Sequence, residues 1–554
     1  MTNNWEYSIV NWLDWMIIGV YAVGLIALSV YLGRKQKDKN DYYLGGNEMS
    51  FWAIGLSTMA TQCSTNSLLG APAFVIAVGG LTWLQYELAV PVAMAGVILL
   101  LMPFFRKQNI ISVYEYLEKR FGVGTRTLLS LTFQFLRAFA TGVTVYGISL
   151  VVQQITGMPF AVCAIFLCAV TIIYDFFGGM KAVVYSDVIQ MIILYAGIIV
   201  CIFYGISLCG GIGEVFKFFP ADKMKTLDFA STGVGDYAGG GFSFLPMFIG
   251  GIFLYMSYYG CDQTQVQRAL SAKNVDESNA TLVLNGFLRF PLVLSYCFTG
   301  VIIGAYMVKY PGFVEQLKIS GGEANYNLAL PVFVLKNFPH GFIGIVIAAL
   351  FAAAMSSLDS TINSLSAVTM RDIYERFFEK KESRPAVKLL LSRIMTLFWG
   401  SVCTVSAFFV EDISKSVIES INKIGSLLYG PVLAVFLLGV LTRRANGAGA
   451  FSGVIAGLAA NAALWIYAPS VNWMWWNPAG CIVTLIVGYT VSLFAGKTKS
   501  HEEIKELIWT KNAGAFFKYK KNWVKYCIYL SVYCVFIIIV CYFIQFIPSF
   551  FKNT

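Results

Sequence analysis

Histidine is nearly absent. His340 and His501 are the only two in 554 residues. They lie far apart with no ligand partners nearby in the sequence, so neither a metal cluster nor a histidine-activated nucleophile is expected, and the chain reads as no enzyme. The twelve cysteines include no C-x-x-C pair. Most sit inside apolar runs (Cys163, Cys168, Cys201, Cys534, Cys541), where they read as small buried apolar residues. No Gly-x-x-x-x-Gly-Lys-Ser/Thr occurs, so ATP hydrolysis is not the expected driving force. A channel would show a repeated pore loop or rings of like charge, and neither is found. Charged residues make up only 13%. The net charge of +10 is carried in loops flanking apolar runs, which is not a nucleic-acid signal. No basic region precedes the first apolar run (Asn3, Asn4 and Glu6 do), so no cleaved signal peptide is expected. No soluble output module, organic cofactor or obligatory protein partner is expected either.

Apolar residues are abundant, at 57% of the chain. Runs longer than about 18 residues recur throughout, each long enough to cross a bilayer. About fourteen spans are expected, at 9–33, 51–79, 82–105, 124–156, 159–178, 182–208, 243–270, 279–308, 341–370, 386–410, 416–441, 447–468, 476–496 and 523–549. The fold class is therefore an all-α membrane protein. Lys and Arg follow every odd-numbered span: Arg34 to Lys39, Arg106 and Lys107, Lys181, Arg268 and Lys273, Arg371 to Lys381, Arg443 and Arg444, and the run from Lys497 to Lys525. The alternate loops (209–242, 309–340, 411–415, 469–475) are poorer in both. The positive-inside rule then places both termini outside a plasma membrane, the inner membrane if the source is bacterial.

Within this apolar background, polar clusters stand out. Ser356, Ser357, Asp359, Ser360, Thr361 and Asn363 lie inside AALFAAAMSSLDSTINSLSAV. Intramembrane polar groups are costly unless paired and usually mark a pathway. All of these offer oxygen, which suits a hard cation. The second span is polar from Ser57 to Gly70 and ends in Gly70-Ala71-Pro72; the seventh carries Gly250 and Gly251 ahead of Tyr255 to Gln263. A break in such a segment frees carbonyls to bind an ion, and two broken helices five spans apart fit an inverted five-plus-five repeat. The alternative is that small residues here only allow close packing. Arg137 lies about fourteen residues into the fourth span, so near the midplane that it needs an internal acid or an anionic ligand.

These segments resemble the sodium/solute symporter family, whose members carry sugars, sugar acids, monocarboxylates, vitamins, proline or iodide. The resemblance runs from Asp14 to Leu441 and is carried by GRKQKDKNDYYLGGNEMSFWAIGLSTMAT, FRKQNIISVYEYLEKRFG, GGMKAVVYSDVIQ, GCDQTQVQRALSAKN and AAAMSSLDSTINS. It implies the LeuT-type fold: a leading helix and loop (1–50), a first repeat (51–208), a second repeat with external loops (209–441) and three trailing helices (442–554). It implies a sodium site at the carbonyls of Ala60, Cys63 and Ala353 and the hydroxyls of Ser356 and Ser357. Some members hold a second sodium at positions that here are Asp187, Ser356, Asp359 and Ser360. Asp359 departs from the serine found there; it either tightens that site, takes a proton, or faces a wet vestibule.

The resemblance also bears on the solute. FQ-x-x-R around Arg137 resembles bacterial sialic acid symporters, where such an arginine meets the substrate carboxylate; Ser64, Ser67 and Gln85 match further contacts there. Tyr86-Glu87, Arg289 and Asp262-Gln263 look more like the sugar symporters. The expected function is sodium-coupled import of a small polar solute, a carboxylated sugar such as sialic acid or another organic anion. The alternative is a neutral sugar or polyol, with monocarboxylate, vitamin or iodide behind it. For both arginines the bland alternative is internal pairing with Glu87 or Asp262.

Overall fold

The computed structural model describes residues 10–234, 242–318, 322, 324–379, 383–410, 417–496, 499–509 and 519–552, without the side chains of Asn66 and of residues 417–422. The expected loop at 411–415, and Lys380, Lys381 and Lys497, lie outside the described residues. The chain is built from helices; among the described residues strand pairing is limited to two isolated bridges, Met49 with Ala272 and Lys318 with Ala324. Eleven helices among them are long and apolar enough to cross a membrane.

The longest helices are α1 (Trp12–Gly33), α5 (Val123–Thr156), α6 (Phe160–Cys209), α9 (Val275–Lys309), α10 (Phe342–Val368), α11 (Pro385–Phe409), α12 (Val417–Leu441), α13 (Gly447–Tyr467), α14 (Trp476–Phe494) and α15 (Trp523–Ile544). Two pairs of short helices complete the centre: α2 (Phe51–Gln62) with α3 (Thr65–Ala77), and α7 (Gly251–Cys261) with α8 (Gln263–Leu270); α4 (Val90–Leu100) lies between them in sequence. Helix α6 is 50 residues long and kinked at Gly179, with φ 53° and ψ −153°. Only glycine adopts such a backbone readily, and a Cβ there would meet the Tyr42 carbonyl at 2.5 Å. The kink falls between the expected fifth and sixth spans.

The two interrupted segments break as the sequence suggests, at sharper points than it indicates. The first breaks at Cys63 (φ −82°, ψ 62°) and Ser64 (φ −67°, ψ 169°), while Pro72 stays inside α3. The second breaks at Asp262, whose extended backbone (φ −87°, ψ 125°) separates α7 from α8. Asp262 caps α8, accepting at Oδ1 from the Thr264 amide at 2.9 Å.

Burial is graded from the centre outward. Almost every residue of α10 is buried, Ser356, Ser360 and Asp359 included, while Ser357 is half-buried. Outer helices instead expose Phe203, Ile466, Phe494 and Phe543. A soluble protein would hide such side chains; here they face lipid. The trailing helices pack closely through small residues. A Cβ on Gly449 or Gly457 of α13 would strike Ser492 or Thr484 of α14 at about 2 Å, so the two backbones touch where those glycines lie.

One end of the bundle is tied by ion pairs. Arg126, at the start of α5, bonds Asp372 (Nε–Oδ1 2.8 Å) and Glu118 (2.6 Å). Arg371 bonds Glu115 (2.8 Å) and Glu375 (2.7 Å). Apart from Arg126, these residues belong to the segments between spans that the sequence places in the cytoplasm. Arg268, counted among the same loop residues, does not belong there. It is wholly buried, because α8 carries it back into the bundle instead of out to solvent.

Candidate ion and solute site

The break at Cys63 removes the amides that would have bonded the last carbonyls of α2. Two of those carbonyls accept from α10 instead. Ser356 Oγ donates to the Ala60 carbonyl at 3.1 Å, and Ser357 Oγ to the Thr61 carbonyl at 2.9 Å. Both hydroxyls also lie within 3.4 Å of the Ala353 carbonyl. The structure thus brings together Ala60, Ala353, Ser356 and Ser357. It adds Thr61, which the sequence reading missed although it lies in the polar middle of the second span. Cys63 stands at the break, outside these bonds. Each serine spends its proton on a carbonyl and keeps lone pairs. A cluster of neutral oxygens suits a monovalent cation better than Ca²⁺, which recruits carboxylates.

Beside it lie Asp187, Asp359 and Ser360, all buried. Asp187 Oδ2 accepts from Ser57 Oγ (2.6 Å) and from Arg268 Nη2 (3.0 Å). Arg268 also bonds Ser57 (2.7 Å), the Thr264 carbonyl (2.6 Å) and Ser360. The guanidinium therefore stands between Asp187 and Ser360, where the sequence suggests a second metal cation. Asp359 accepts from Tyr174 (2.5 Å) and Ser360 (2.9 Å). Arg268, Ser57 and Tyr174 are participants that sequence reasoning did not assign to this site, although it noted Ser57 at the head of a polar stretch and counted Arg268 as a loop base. Arg268 lies inside the GCDQTQVQRALSAKN motif, which was the one available signal.

A cavity of about 850 Å³ adjoins both broken helices. Ser64, Ser67, Tyr86, Glu87, Arg137, Asp262 and Arg289 all reach its wall. Tyr255, Tyr258 and Tyr429 add aromatic faces, and Phe242, Tyr326 and Trp473 bring in the less basic loops. Gln85 and Gln263 lie elsewhere. Gln85 is buried between the Phe242 carbonyl (2.7 Å) and the Asp228 amide (2.7 Å), where it holds a loop. Gln263 clamps the Ile111 carbonyl and the Val113 amide, each at 2.8 Å.

Both cavity arginines are ion-paired, in different ways. Arg289 and Glu87 meet fork to fork, Nε to Oε2 and Nη2 to Oε1, each at 3.0 Å. Both are nearly inaccessible, with 3% and 1% of their side-chain surface exposed. Arg137 is 19% exposed. Its Nε (2.8 Å) and Nη2 both end on one oxygen of Asp262, Oδ2. Its guanidinium carbon lies 5.2 Å from the centre of the Tyr258 ring. His340, without a ligand partner nearby in the sequence, bonds Asp14 at 2.8 Å and is not among the residues lining the cavity.

The model of the "Sodium:solute symporter family" matches residues 42–457. The sodium/sialic acid symporter NanT of Aliivibrio fischeri is 30% identical over 510 residues, covering 90% of this chain and 96% of that one. The sodium/sialic acid symporter SiaT of Proteus mirabilis is 28% identical over 88% of this chain and 96% of its own length. The human sodium/iodide cotransporter is 27% identical over 81% of this chain and 69% of its own length. A solved structure of a Na⁺-coupled sialic acid symporter in a substrate-bound outward-open state superposes with a TM-score of 0.77 at 26% identity, covering 88% of this chain and 99% of that one. A nucleobase-cation-symport-1 transporter, 12% identical with a TM-score of 0.51 over 84% of this chain and 97% of its own, shares the fold alone. The fold is LeuT-like, and the chain belongs to the sodium:solute symporter family.

Proposed function

We propose that this symporter couples sodium entry to import of a carboxylated sugar, sialic acid or a close relative, across a plasma membrane. The observation that carries the reading is Arg137: a cation at the wall of a large aromatic and hydroxyl-rich cavity, with Ser64 and Ser67 from the broken first segment on the same wall. A guanidinium matches a carboxylate bidentately. The sialic acid symporters among its relatives support the choice. Ser64 and Ser67 are assigned to the solute acid, and Tyr86, Glu87, Arg289 and Asp262 to its hydroxyls and its surroundings. Gln85 and Gln263 act through the loops they hold.

Sodium is assigned to Ala60, Cys63, Ala353, Ser356 and Ser357, with the Thr61 carbonyl beside them. The second set, Asp187, Ser356, Asp359 and Ser360, receives a sodium only when Arg268 withdraws from it. In the architecture we propose, the chain crosses the membrane fourteen times. Each broken segment counts as one crossing and α6 as two, with one leading helix, repeats at 51–208 and 209–441, three trailing helices, and both termini outside. The cavity then reaches toward the external loops, while the ion pairs of Arg126 and Arg371 close the cytoplasmic end.

A second reading has its own support. Arg137 and Arg289 are both already paired with acids, which suits a neutral sugar or polyol. Uptake into proteoliposomes under a sodium gradient separates the two. Accumulation of sialic acid, but not of neutral hexoses or inositol, is expected; sodium-independent uptake overturns the symport mechanism, and preference for the neutral solute overturns the acid.

A further inference from the structure

The two arginine–carboxylate pairs at the cavity differ in a way that bears on how an acid would bind. Glu87 gives Arg289 both oxygens, in the planar fork that a guanidinium matches best. Asp262 gives Arg137 one oxygen. Its other oxygen is committed to α8, accepting from the Thr264 amide at 2.9 Å and from the Thr264 hydroxyl. Arg137 thus receives one carboxylate oxygen where Arg289 receives two, and it is the more accessible of the two arginines, at 19% against 3%.

We infer that Asp262 is an internal stand-in for the acid group of the solute: it holds Arg137 while the cavity is empty and is displaced from it when a carboxylate enters. The inference rests on the reading of the solute as an acid. A free carboxylate offers two oxygens to the fork and exceeds what Asp262 gives. Asp262 keeps its Thr264 bonds throughout, so α8 remains capped while the Arg137 guanidinium swings off Oδ2 toward the solute. The exchange serves two ends. Arg137 is never left as a bare charge near the midplane, which would be costly. The solute competes with a resident acid, so its affinity is held below what Arg137 alone would give, and release is favoured when the solute must leave. Asp262 also heads the helix that ends near Arg268, about 9 Å further along at 1.5 Å per residue. Asp262 and Arg268 thus stand on the same short rod, one facing Arg137 and the other holding Asp187.

Binding of sialic acid to the purified full-length protein, in saturating sodium, tests this by titration of wild type and Asp262→Asn. Asparagine caps a helix as well as aspartate, so α8 is retained. Asp262→Ser, which also caps, is the second variant should the first not fold. The expected result is sialic acid binding about tenfold tighter or more in the variant, with no such gain for the neutral sugar. A folded variant that binds sialic acid equally or more weakly overturns the inference alone. If neither wild type nor variant binds any carboxylated sugar or short carboxylate, the acid reading falls and takes this inference with it.

Discussion

Arg268 reaches Asp187 at 3.0 Å across 81 residues of sequence, and neither side chain has more than 1% of its surface exposed. The Arg268 guanidinium stands between Asp187 and Ser360, the place proposed above for a second sodium, and it is a cation which cannot leave the chain. In the reading proposed above, this conformation takes a single sodium, at Ser356 and Ser357.

That arrangement makes a prediction about ion number. Uptake by the wild type should rise hyperbolically with sodium. Arg268→Met removes the resident cation and leaves Asp187 buried without its partner, which costs about 3–5 kcal/mol in comparable buried pairs. Sodium should partly replace the lost charge. The melting temperature of the variant should then climb with sodium more steeply than that of the wild type. A sigmoidal wild-type curve would show instead that Arg268 leaves Asp187 during the cycle.

The first ion site is tested by Ser356→Ala with Ser357→Ala. A bond from a charged group to a hydroxyl contributes about 1.5–3 kcal/mol, so the sodium needed for half-maximal uptake should rise roughly tenfold or more. Apparent solute affinity at fixed sodium should fall with it, because the coupling is reciprocal. Sodium dependence identical to the wild type would remove these serines from the ion path.

Much of this site was legible in the sequence, for a physical reason. Hydroxyls at Ser356 and Ser357 are conspicuous in an apolar run because hydrocarbon does not satisfy them. The breaks were legible as polar, glycine-bearing stretches, but their positions were not: Pro72 draws attention, yet the chain opens nine residues earlier, at Cys63. Arg268 was misplaced because a basic residue near a span end is ordinarily solvated; only the fold of α8 shows that it turns inward. The partners of Arg137 and Arg289 were open between Glu87 and Asp262, since sequence distance says nothing about which acid faces which base across separate helices.

The Glu87–Arg289 fork predicts a split between stability and binding. Glu87→Gln leaves a buried guanidinium half paired, at about 3–5 kcal/mol, and should lower the melting temperature sharply. Adding Arg289→Met removes the stranded charge and should restore most of that stability. Solute affinity should not return with it if the fork also meets the solute's hydroxyls. Recovery of both would show that the pair only builds the wall.

At the end proposed to face the cytoplasm, Asp372 is wholly buried and holds Arg126 at 2.8 Å and Ser112 at 2.6 Å. Asp372→Asn should loosen that closure and populate the inward-open state. Cys261, buried at the cavity wall next to the second break, reports on it. An impermeant thiol reagent supplied from the cytoplasmic side should label Cys261 several-fold faster in the variant than in the wild type. Equal rates would mean that the ion pairs at this end do not gate access.

The solute prediction is the one that decides between the two functional readings. If Arg137 reads a carboxylate, Arg137→Ala should weaken sialic acid binding by about 2–4 kcal/mol, the loss of a charge-assisted bidentate contact in a dry site. That corresponds to roughly thirtyfold or more. Arg137→Lys should recover only part, since an ammonium cannot form the fork. The alternative, in which Arg137 exists to neutralise Asp262, makes a different forecast. Arg137→Ala would then strand a buried carboxylate and impair every solute alike, and Asp262→Asn in the same chain would rescue it. The measurement is the affinity ratio of sialic acid to a neutral hexose in wild type, Arg137→Ala, and the double variant. A ratio that collapses in both variants assigns Arg137 to the solute. A ratio near unity already in the wild type, with full rescue in the double variant, assigns it to Asp262 and makes the neutral sugar the cargo.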